Sequence, residues 1–326
     1  MQRREEIVMR FDLAPMEGAT DAIYRAVHRR LFGGVDLYWM PFWSPTQDHI
    51  LTRRVLREIL PEHNEGVPVL PQLLTKSAED FLWAAGELAA MGYGEVNLNL
   101  GCPSGTVTAK GKGAGFLADL PRLERFLDRI FAEAPLRISI KTRLGTEDPE
   151  EFGPLLELYG RYPLARLAVH ARVLRDQYRL PARPEAFRLA LERSGCPVCC
   201  NGDLKTLEDC RSLAEWYPAA CSVMVGRGIL ADPALARRFA GGRPAERREL
   251  LAFHRMLFDG YRLAFGSGRN AMLRMKEHWR YLIRLLEDGA GFAKKLRKAA
   301  DPGHFDALAE AALAELPLRQ GAAPDW

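Results

Sequence analysis

The sequence contains no long apolar run, since none of its segments approaches the roughly 20 consecutive apolar residues that a membrane span requires. Its first residues, MQRREEIVMRF, lack the apolar stretch of a secretory signal. Low-complexity tracts and internal repeats are also missing, which argues against a disordered or repeat-built chain. These absences predict a globular protein of the cytoplasm with no membrane-spanning segment.

Cysteine is scarce and poorly arranged for metal binding or cross-linking. The six cysteines do not form the repeated C-x-x-C pairs of zinc sites or a disulfide framework, so we expect no metal. Cys199 and Cys200 lie in an apolar run and are typical of buried strand cysteines. Cys102 is different, because it lies between a β-like run and a loop rich in glycine and lysine.

A strong charge excess is missing from the whole chain, whose net charge is +4, but the basic residues are unevenly spread. Residues 243–299 contain 14 Lys and Arg against 6 Asp and Glu, whereas the rest of the chain carries 32 against 36. This asymmetry favours a polyanionic partner for the C-terminal region, although solvated helix faces give similar counts.

Short β-rich runs alternate with helical patterns over the first 240 residues. There are eight such runs, at residues 8–16, 35–42, 67–74, 95–101, 137–144, 166–172, 197–202 and 221–228. Eight apolar strands, each followed by a helix, predict an α/β fold with a (β/α)8 TIM barrel, and an open doubly wound sheet is the main alternative. We predict a barrel domain of residues 1–241 and a small C-terminal helical domain of residues 242–326.

One helical pattern in the C-terminal region combines an apolar stripe with a basic row. The apolar residues follow a three-four spacing at Met272, Met275, Trp279, Leu282 and Leu286. The basic residues recur at every fourth position, at Lys276, Arg280 and Arg284. We expect the stripe to pack against the protein and the basic row to face a partner.

Polar residues collect at the carboxyl ends of the predicted strands, which in a barrel all open onto the active-site face. Glycines in NGDL and VGRG would let backbone N–H groups approach a phosphate, with Arg227 adding charge. Lys141 and His170 would suit a flavin, because a cation and an imidazole can stabilise negative charge on its reduced ring. Taken singly, these residues are more often simple turns, surface lysines and packed histidines.

The sequence resembles the tRNA-dihydrouridine synthase family. The resemblance rests on six motifs in the family's order: LAPMEGATD (13–21), VNLNLGCPS (96–104), IKTRLG (140–145), VHAR (169–172), NGDL (201–204) and VGRGILADP (225–233). A weaker match is RMKEHWRYL (274–282). The resemblance implies an FMN-containing barrel with a helical tRNA-binding domain. Such a protein reduces the double bond between carbons 5 and 6 of particular uridines with electrons from NADPH, and we expect it to be a monomer.

The family's functional residues carry over by matching motif. Those around the flavin ring would be Pro15, Met16, Gln72, Lys141 and His170. Those holding its ribityl and phosphate groups would be Asn201, Gly202, Asp203, Gly226 and Arg227. Those touching the RNA would be Asn99, at the uracil, with Arg172, Tyr178, Arg274, Lys276 and Arg280. Cys102 would be the proton donor to carbon 5, because a thiol with a pKa near 8.5 is protonated at neutral pH.

The second strand departs from the family pattern, because DLYWMPFWSP lacks the Thr-Glu pair common at that point, so the barrel mouth differs on that side. Two other functions use many of the same residues. One is an FMN barrel oxidoreductase acting on a small molecule, similar to a dihydroorotate dehydrogenase. The other is a non-catalytic barrel that binds RNA.

Overall fold

In the computed structural model, which describes residues 9–325, a ring of parallel strands forms the centre of the protein. The strands within that range are β1 Arg10–Leu13, β2 Leu37–Trp39, β3 Val69–Leu70, β4 Gln72–Leu73, β5 Glu95–Leu100, β6 Arg137–Arg143, β7 Leu167–His170, β8 Val198–Asn201 and β9 Ser222–Val225. Every predicted run contains a strand, and the predicted TIM barrel is confirmed. The first run begins with Val8, which lies outside the described residues.

The ring closes through a strand that proline divides in two. The order of neighbours is β3-β2-β1-β9-β8-β7-β6-β5-β4. Only Pro71 separates β3, which pairs with β2, from β4, which pairs with β5. Because proline has no N–H to donate, the hydrogen-bond ladder breaks at this residue while the chain itself continues round the ring. The single strand predicted over 67–74 is therefore present as two short pieces.

Strand register brings the polar residues of the site side by side. Asn99 lies opposite Lys141 across β5 and β6. His170 on β7 lies opposite Arg143 on one side and Asn201 on the other. Because all the strands are parallel, these residues share the carboxyl-end rim of the barrel.

Helices surround the ring and continue beyond it. Those of the barrel are α1 Ala22–Leu31, α2 Arg53–Ile59, α3 Ala78–Ala90, α4 Gly105–Thr108, α5 Leu120–Glu133, α6 Phe152–Tyr159, α7 Glu185–Arg193, α8 Leu207–Trp216, α9 Arg227–Ala231 and α10 Leu235–Phe239. The C-terminal region contains α11 Arg247–Phe265, α12 Gly268–Leu282, α13 Ala290–Lys298 and α14 Pro302–Glu315. Short 3-10 turns occur at Pro61–Asn64, Gly113–Ala118, Pro149–Glu151 and Ile283–Leu285.

Helix α3 begins and ends as its sequence predicts. The Ser77 hydroxyl accepts a hydrogen bond from the backbone N–H of Asp80, at 3.2 Å, and so caps the first turn. The acidic side chains of Glu79 and Asp80 lie in that turn, where the helix dipole favours negative charge. After the helix, Gly92 takes a left-handed φ of +91°, a conformation that favours glycine.

The barrel interior is packed rather than hollow. A separate cluster of buried side chains fills it, including Trp39, Leu70, Cys199 and Met224. Asp12 lies beside them and accepts hydrogen bonds from Trp39 Nε1 at 3.1 Å and Ser222 Oγ at 3.0 Å. Burial raises the pKa of Asp12 to about 6 despite these bonds. The solid interior places any ligand site at the barrel mouth.

The C-terminal helices pack directly against the barrel helix α1. The Tyr24 ring stacks on His278 of α12, with centroids 5.3 Å apart, and meets Phe253 of α11 edge-on at 5.7 Å. The Tyr261 hydroxyl donates to Asp21, the N-cap of α1, at 3.0 Å. The predicted apolar stripe is buried at all five positions: Met272, Met275, Trp279, Leu282 and Leu286. These residues belong to the same apolar cluster as the outer layer of the barrel.

Residues 9–325 contain no membrane-spanning helix, no metal-binding cluster and no disulfide bond. No helix in this range is long and apolar enough to cross a membrane. The same residues contain no group of three or more His, Cys, Asp or Glu side chains placed to hold a metal ion. All six cysteines are free thiols, and Cys199 and Cys200 are buried as the sequence predicts.

Candidate active site

A cavity of about 380 Å³ opens at the carboxyl ends of β1, β6, β7, β8 and β9. Nine of the ten residues predicted to bind the cofactor line it: Pro15, Met16, Lys141, His170, Asn201, Gly202, Asp203, Gly226 and Arg227. The tenth, Gln72, lies outside the lining. Its side chain donates to Asn97 Oδ1 and accepts from Asn99 Nδ2, both at 2.8 Å. Side chains from five separate strand ends thus meet around one space.

Lys141 lines this cavity and is fixed by its neighbour. Its Nζ donates to Asn201 Oδ1 at 3.0 Å, and Asn201 Nδ2 donates in turn to the Met224 carbonyl at 2.8 Å. Burial lowers the pKa of Lys141 to about 8, and the nearby Arg143 acts in the same direction. The lysine therefore stays cationic at neutral pH, at a position where negative charge on a ligand would be stabilised.

His170 is neutral and its ring is oriented by Arg172. Burial lowers the pKa of His170 well below its usual value, and the surrounding cations Arg143 and Lys141 lower it further. Nη1 of Arg172 lies 3.0 Å from Nε2 of the ring. Because arginine can only donate, Nε2 accepts this bond and the ring hydrogen is on Nδ1.

Arg172 is almost completely buried, with 2% of its surface exposed. Besides His170, its guanidinium donates to both carboxylate oxygens of Asp203 at 2.6 Å and to the Leu180 carbonyl at 2.6 Å. Arg172 therefore connects His170 with Asp203, although the sequence placed it among the RNA contacts. These bonds occupy all three nitrogens of its guanidinium, and RNA contact stays a prediction.

The loops after β8 and β9 approach each other closely, because a Cβ added at Gly228 would lie 2.8 Å from the Lys205 carbonyl oxygen. Gly202 has a φ of +136°, and Asp203 follows at +52°. A Cβ at Gly226 would lie 3.0 Å from Met16 Sδ. The cavity between these loops combines an apolar floor, which includes Ala14 and Met224, with the cations Lys141 and Arg227. An apolar floor and a cationic rim fit a planar ring with an anionic tail, the shape and charge of a flavin mononucleotide.

Cys102 is half-buried just beyond β5. Its backbone N–H donates to Asn99 Oδ1 at 2.9 Å, and its carbonyl accepts from the Ala114 N–H at 3.1 Å. Burial raises the pKa of the Cys102 thiol above its ordinary value, and the carboxylate of Glu17 adds to the effect. The Ser104 backbone hydrogen bond and the nearby cations Arg143 and Lys141 lower this pKa without reversing the shift. The side chain is therefore a protonated thiol at neutral pH.

Gly113 leaves room for Cys102 where a larger residue would not. Its φ is +57°, and an added Cβ would lie 2.9 Å from the Cys102 carbonyl oxygen and 3.1 Å from the Cys102 Cβ. Gly111 has a similar φ of +63°, but its added Cβ would meet only the flexible end of Lys76, at 3.6 Å. Both positions favour glycine, but only Gly113 presses on Cys102.

We expect Gly113→Ala to displace Cys102 and change its reactivity, whereas Gly111→Ala should carry only the backbone cost of about 1 kcal/mol. The measurement is the rate at which iodoacetamide alkylates Cys102, followed by mass spectrometry in both variants and the unchanged protein. A change of about fivefold or more confined to Gly113→Ala is the expected result. Equal rates in all three proteins would show that Gly113 does not position the thiol.

Arg143 belongs to the site but was not among the residues predicted to bind the cofactor or the RNA. Its Nε donates to the Gly101 carbonyl and its Nη1 to the Val173 carbonyl, each at 3.0 Å. The half-exposed Tyr178 ring lies 5.4 Å from this guanidinium and 5.2 Å from that of Arg227. Arg143 thus joins the chain before Cys102 to the loop of Tyr178. Arg143 follows Lys141 by two positions on the same strand, so both side chains lie on one face of β6. This spacing could have predicted that Arg143 belongs to the site.

The basic residues of α12 do not form one free row. Arg280 lies at the edge of the cavity, beside Tyr281. Lys276 donates instead to the Arg297 and Ala299 carbonyls at the end of α13. Arg274 donates to the Gly18 carbonyl, and Arg284, in the turn that follows α12, pairs with Asp325. Of the three predicted RNA contacts on this helix, Arg280 alone lines the cavity, and all three stay predictions.

Comparison with known proteins assigns the chain to a family. The family model described as dihydrouridine synthase (Dus) matches residues 12–312. The chain is 28% identical to the tRNA-dihydrouridine(16) synthase of Aquipseudomonas alcaligenes, over 92% of this chain and 98% of the relative. It is 32% identical to the protein of the same name from Ralstonia nicotianae, over 70% and 72% of the two chains. It is 28% identical to the probable tRNA-dihydrouridine synthase 2 of Bacillus subtilis, over 77% and 78%.

Proposed function

The chain belongs to the dihydrouridine synthase family, a family of flavin-dependent oxidoreductases, and from this premise we propose that it reduces uridine to dihydrouridine in tRNA. FMN is the proposed bound cofactor and NADPH the proposed electron donor. The observation that carries the proposal is the arrangement of Cys102, a protonated thiol, at the same barrel mouth as a cavity whose floor and cations fit FMN.

We propose uridine 16 as the target. The relatives from Aquipseudomonas alcaligenes and Pseudomonas putida both carry this position in their names, and each aligns with 92% of the chain. A uridine inside folded tRNA has to be extruded before it can enter a barrel mouth. The cavity is on the rim of a packed barrel, so the base would enter from the side of Tyr178 and Arg280.

When bound, FMN would supply the hydride that uracil receives at carbon 6. The residues of the chain hold the other groups in place. Lys141 and neutral His170 would lie at the flavin ring, and Arg172 would keep the His170 ring in one orientation. Arg227 would bind the phosphate. The thiol of Cys102 would give its proton to carbon 5, and Asn99 would fix the thiol by accepting the Cys102 N–H.

The C-terminal region, from residue 242, is the proposed tRNA-binding domain. Its support is the local excess of basic residues and the place of Arg280 at the cavity edge. Arg274 and Lys276 would contribute from the same helix, and Tyr178 from the barrel side. Because tRNA is modified where it is made and used, the cytoplasm is the proposed location, and a monomer is the proposed state.

The test is a direct assay of the purified protein. We expect a yellow protein that releases FMN on denaturation and converts uridine 16 of an unmodified tRNA transcript to dihydrouridine when NADPH is supplied. Dihydrouridine is mapped by reverse-transcription arrest after borohydride treatment. A yellow protein that reduces a free pyrimidine such as orotate and ignores tRNA would favour the small-molecule oxidoreductase. A colourless protein that binds tRNA but rejects FMN would favour a non-catalytic RNA-binding barrel.

A further inference from the structure

A second cavity, of about 520 Å³, opens on the same face of the barrel beside the ends of β1, β2 and β4. It has no lining residue in common with the first cavity, but Met16 lines the first and the next residue, Glu17, lines the second. Gln72 forms part of its wall and bonds to Asn99, which holds the Cys102 N–H. The second cavity is therefore adjacent to the thiol, on the side where the second strand departs from the family pattern.

The lining of this cavity combines flat aromatic rings with guanidinium groups. Phe42 and Trp43 contribute from the segment after β2. Phe265 lies at the other side, with the guanidinium of Arg57 5.6 Å from its ring centroid and that of Arg274 at 5.9 Å. Aromatic rings and arginine planes are the surfaces on which proteins stack unpaired bases, and arginine also binds phosphate.

The carboxylates of the cavity are already satisfied by the protein. Asp21 accepts from the Tyr261 hydroxyl at 3.0 Å, and Glu58 accepts from Arg25 at 3.1 Å. The third carboxylate of the lining, Glu17, accepts from Arg54 at 3.1 Å. Among the described residues, Arg57 makes no ion pair, so its charge is available to a ligand. The cavity therefore offers a cation and aromatic surface without a matching free anion.

Helix α12 passes along both cavities. Arg274 lines the second cavity and Arg280 lines the first. Arg280 follows Arg274 by six positions, which corresponds to about 9 Å along a helix. This distance exceeds the 3.4 Å rise of a stacked strand but suits consecutive nucleotides that are splayed apart. An RNA strand lying along α12 could place one base in each cavity.

We infer that the second cavity binds a nucleotide of the tRNA that directly flanks the target uridine. This inference rests on the proposed function. The flanking base would stack against Phe42 and the guanidinium of Arg57, while the target uridine lies at the mouth of the first cavity. Met40 and Pro41, which directly follow β2, line this space.

The experiment combines a protein variant with an altered RNA. Arg57→Met removes the available cation, and Arg53→Met is the matched control, because Arg53 is on the same helix and lines no part of the second cavity. Affinity is measured by fluorescence anisotropy for intact tRNA and for two tRNAs with an abasic residue on the 5′ or 3′ side of the target uridine. Melting temperature and flavin content are measured for each protein.

We expect one abasic tRNA to bind the unchanged protein about tenfold more weakly, within the range for loss of one stacked base. Arg57→Met should bind intact tRNA about tenfold more weakly and show little further loss with that abasic tRNA, and Arg53→Met should behave like the unchanged protein. Independent, multiplying losses would overturn the inference, as would full affinity for both abasic tRNAs.

One further result would assign the cavity to another ligand, and two more would separate failure of this inference from failure of the proposed function. An increased KM for NADPH in flavin reduction by Arg57→Met, with unchanged RNA affinity, would give the cavity to the dinucleotide and overturn the inference. If the unchanged protein forms no dihydrouridine in any tRNA, the proposed function fails. If it forms dihydrouridine but ignores both flanking nucleotides, only the second site fails.

Discussion

Cys102→Ala should form dihydrouridine about 10²–10⁴-fold more slowly than the unchanged protein, the range for loss of a general acid. The variant should keep its flavin and its reduction by NADPH, because Cys102 lines neither the apolar floor nor the cationic rim of the first cavity. Burial raises the pKa of this thiol, so the protonated form that a proton donor requires persists at neutral pH. The activity of the unchanged protein should therefore fall as pH rises through the raised pKa of Cys102.

The measurement is single-turnover reoxidation of the reduced enzyme by tRNA, compared with the rate of flavin reduction in the same preparation. Cys196→Ala is a suitable control, since Cys196 is also half-buried but lies before β8, at the opposite end of the barrel. Reoxidation of Cys102→Ala at the unchanged rate would remove the proton-donor role from Cys102. A lost alkaline limb in its pH profile would support that role independently.

Arg172→Met should lose most of its bound flavin and about 2–3 kcal/mol of unfolding free energy. The substitution removes the donor to His170 Nε2 and both bonds to Asp203, so the histidine ring loses its orientation and Asp203 loses its partner. The stability cost lies below that of a fully buried pair, because Asp203 is partly exposed. Both residues line the first cavity, which explains the expected effect on flavin.

Flavin content per protein and denaturant unfolding test this expectation, with Arg179→Met as the control, since Arg179 is an exposed arginine nearby in the chain. A variant that keeps its flavin and stability but needs more tRNA would contradict it. That outcome would return Arg172 to the RNA contacts, as its motif alone predicted.

Periodicity and strand-end chemistry were enough to predict the barrel. Apolar runs that end in Lys141, His170 or Asn201 place these residues at one rim as soon as the strands are parallel, whatever the details of packing. The break at Pro71 was not predicted, because a run such as VPVLPQLL has the apolar content of one strand. The ladder breaks there for a local reason, the missing N–H of proline.

Side-chain direction beyond the strands could not be predicted from motifs. Lys276 was expected to face RNA, but its partners are the carbonyls of Arg297 and Ala299, on a helix whose position is set by tertiary packing. The second cavity could not be predicted from the sequence for the same reason. Its walls come from chain segments as distant as Glu17 and Arg274, and no single motif includes them.

The stacking of Tyr24 on His278 and the shared apolar cluster have a consequence for how a large RNA is accommodated. A helical region whose side chains interlock with the barrel is poorly suited to swing open on a hinge. With the C-terminal region as the proposed tRNA-binding domain, it and the barrel would present one preshaped surface, and the free-energy cost of distortion would fall on the nucleic acid. Substrates whose loops deform at low free-energy cost would be favoured. The choice of tRNA would then depend on the flexibility of the RNA as well as on the identity of the target base.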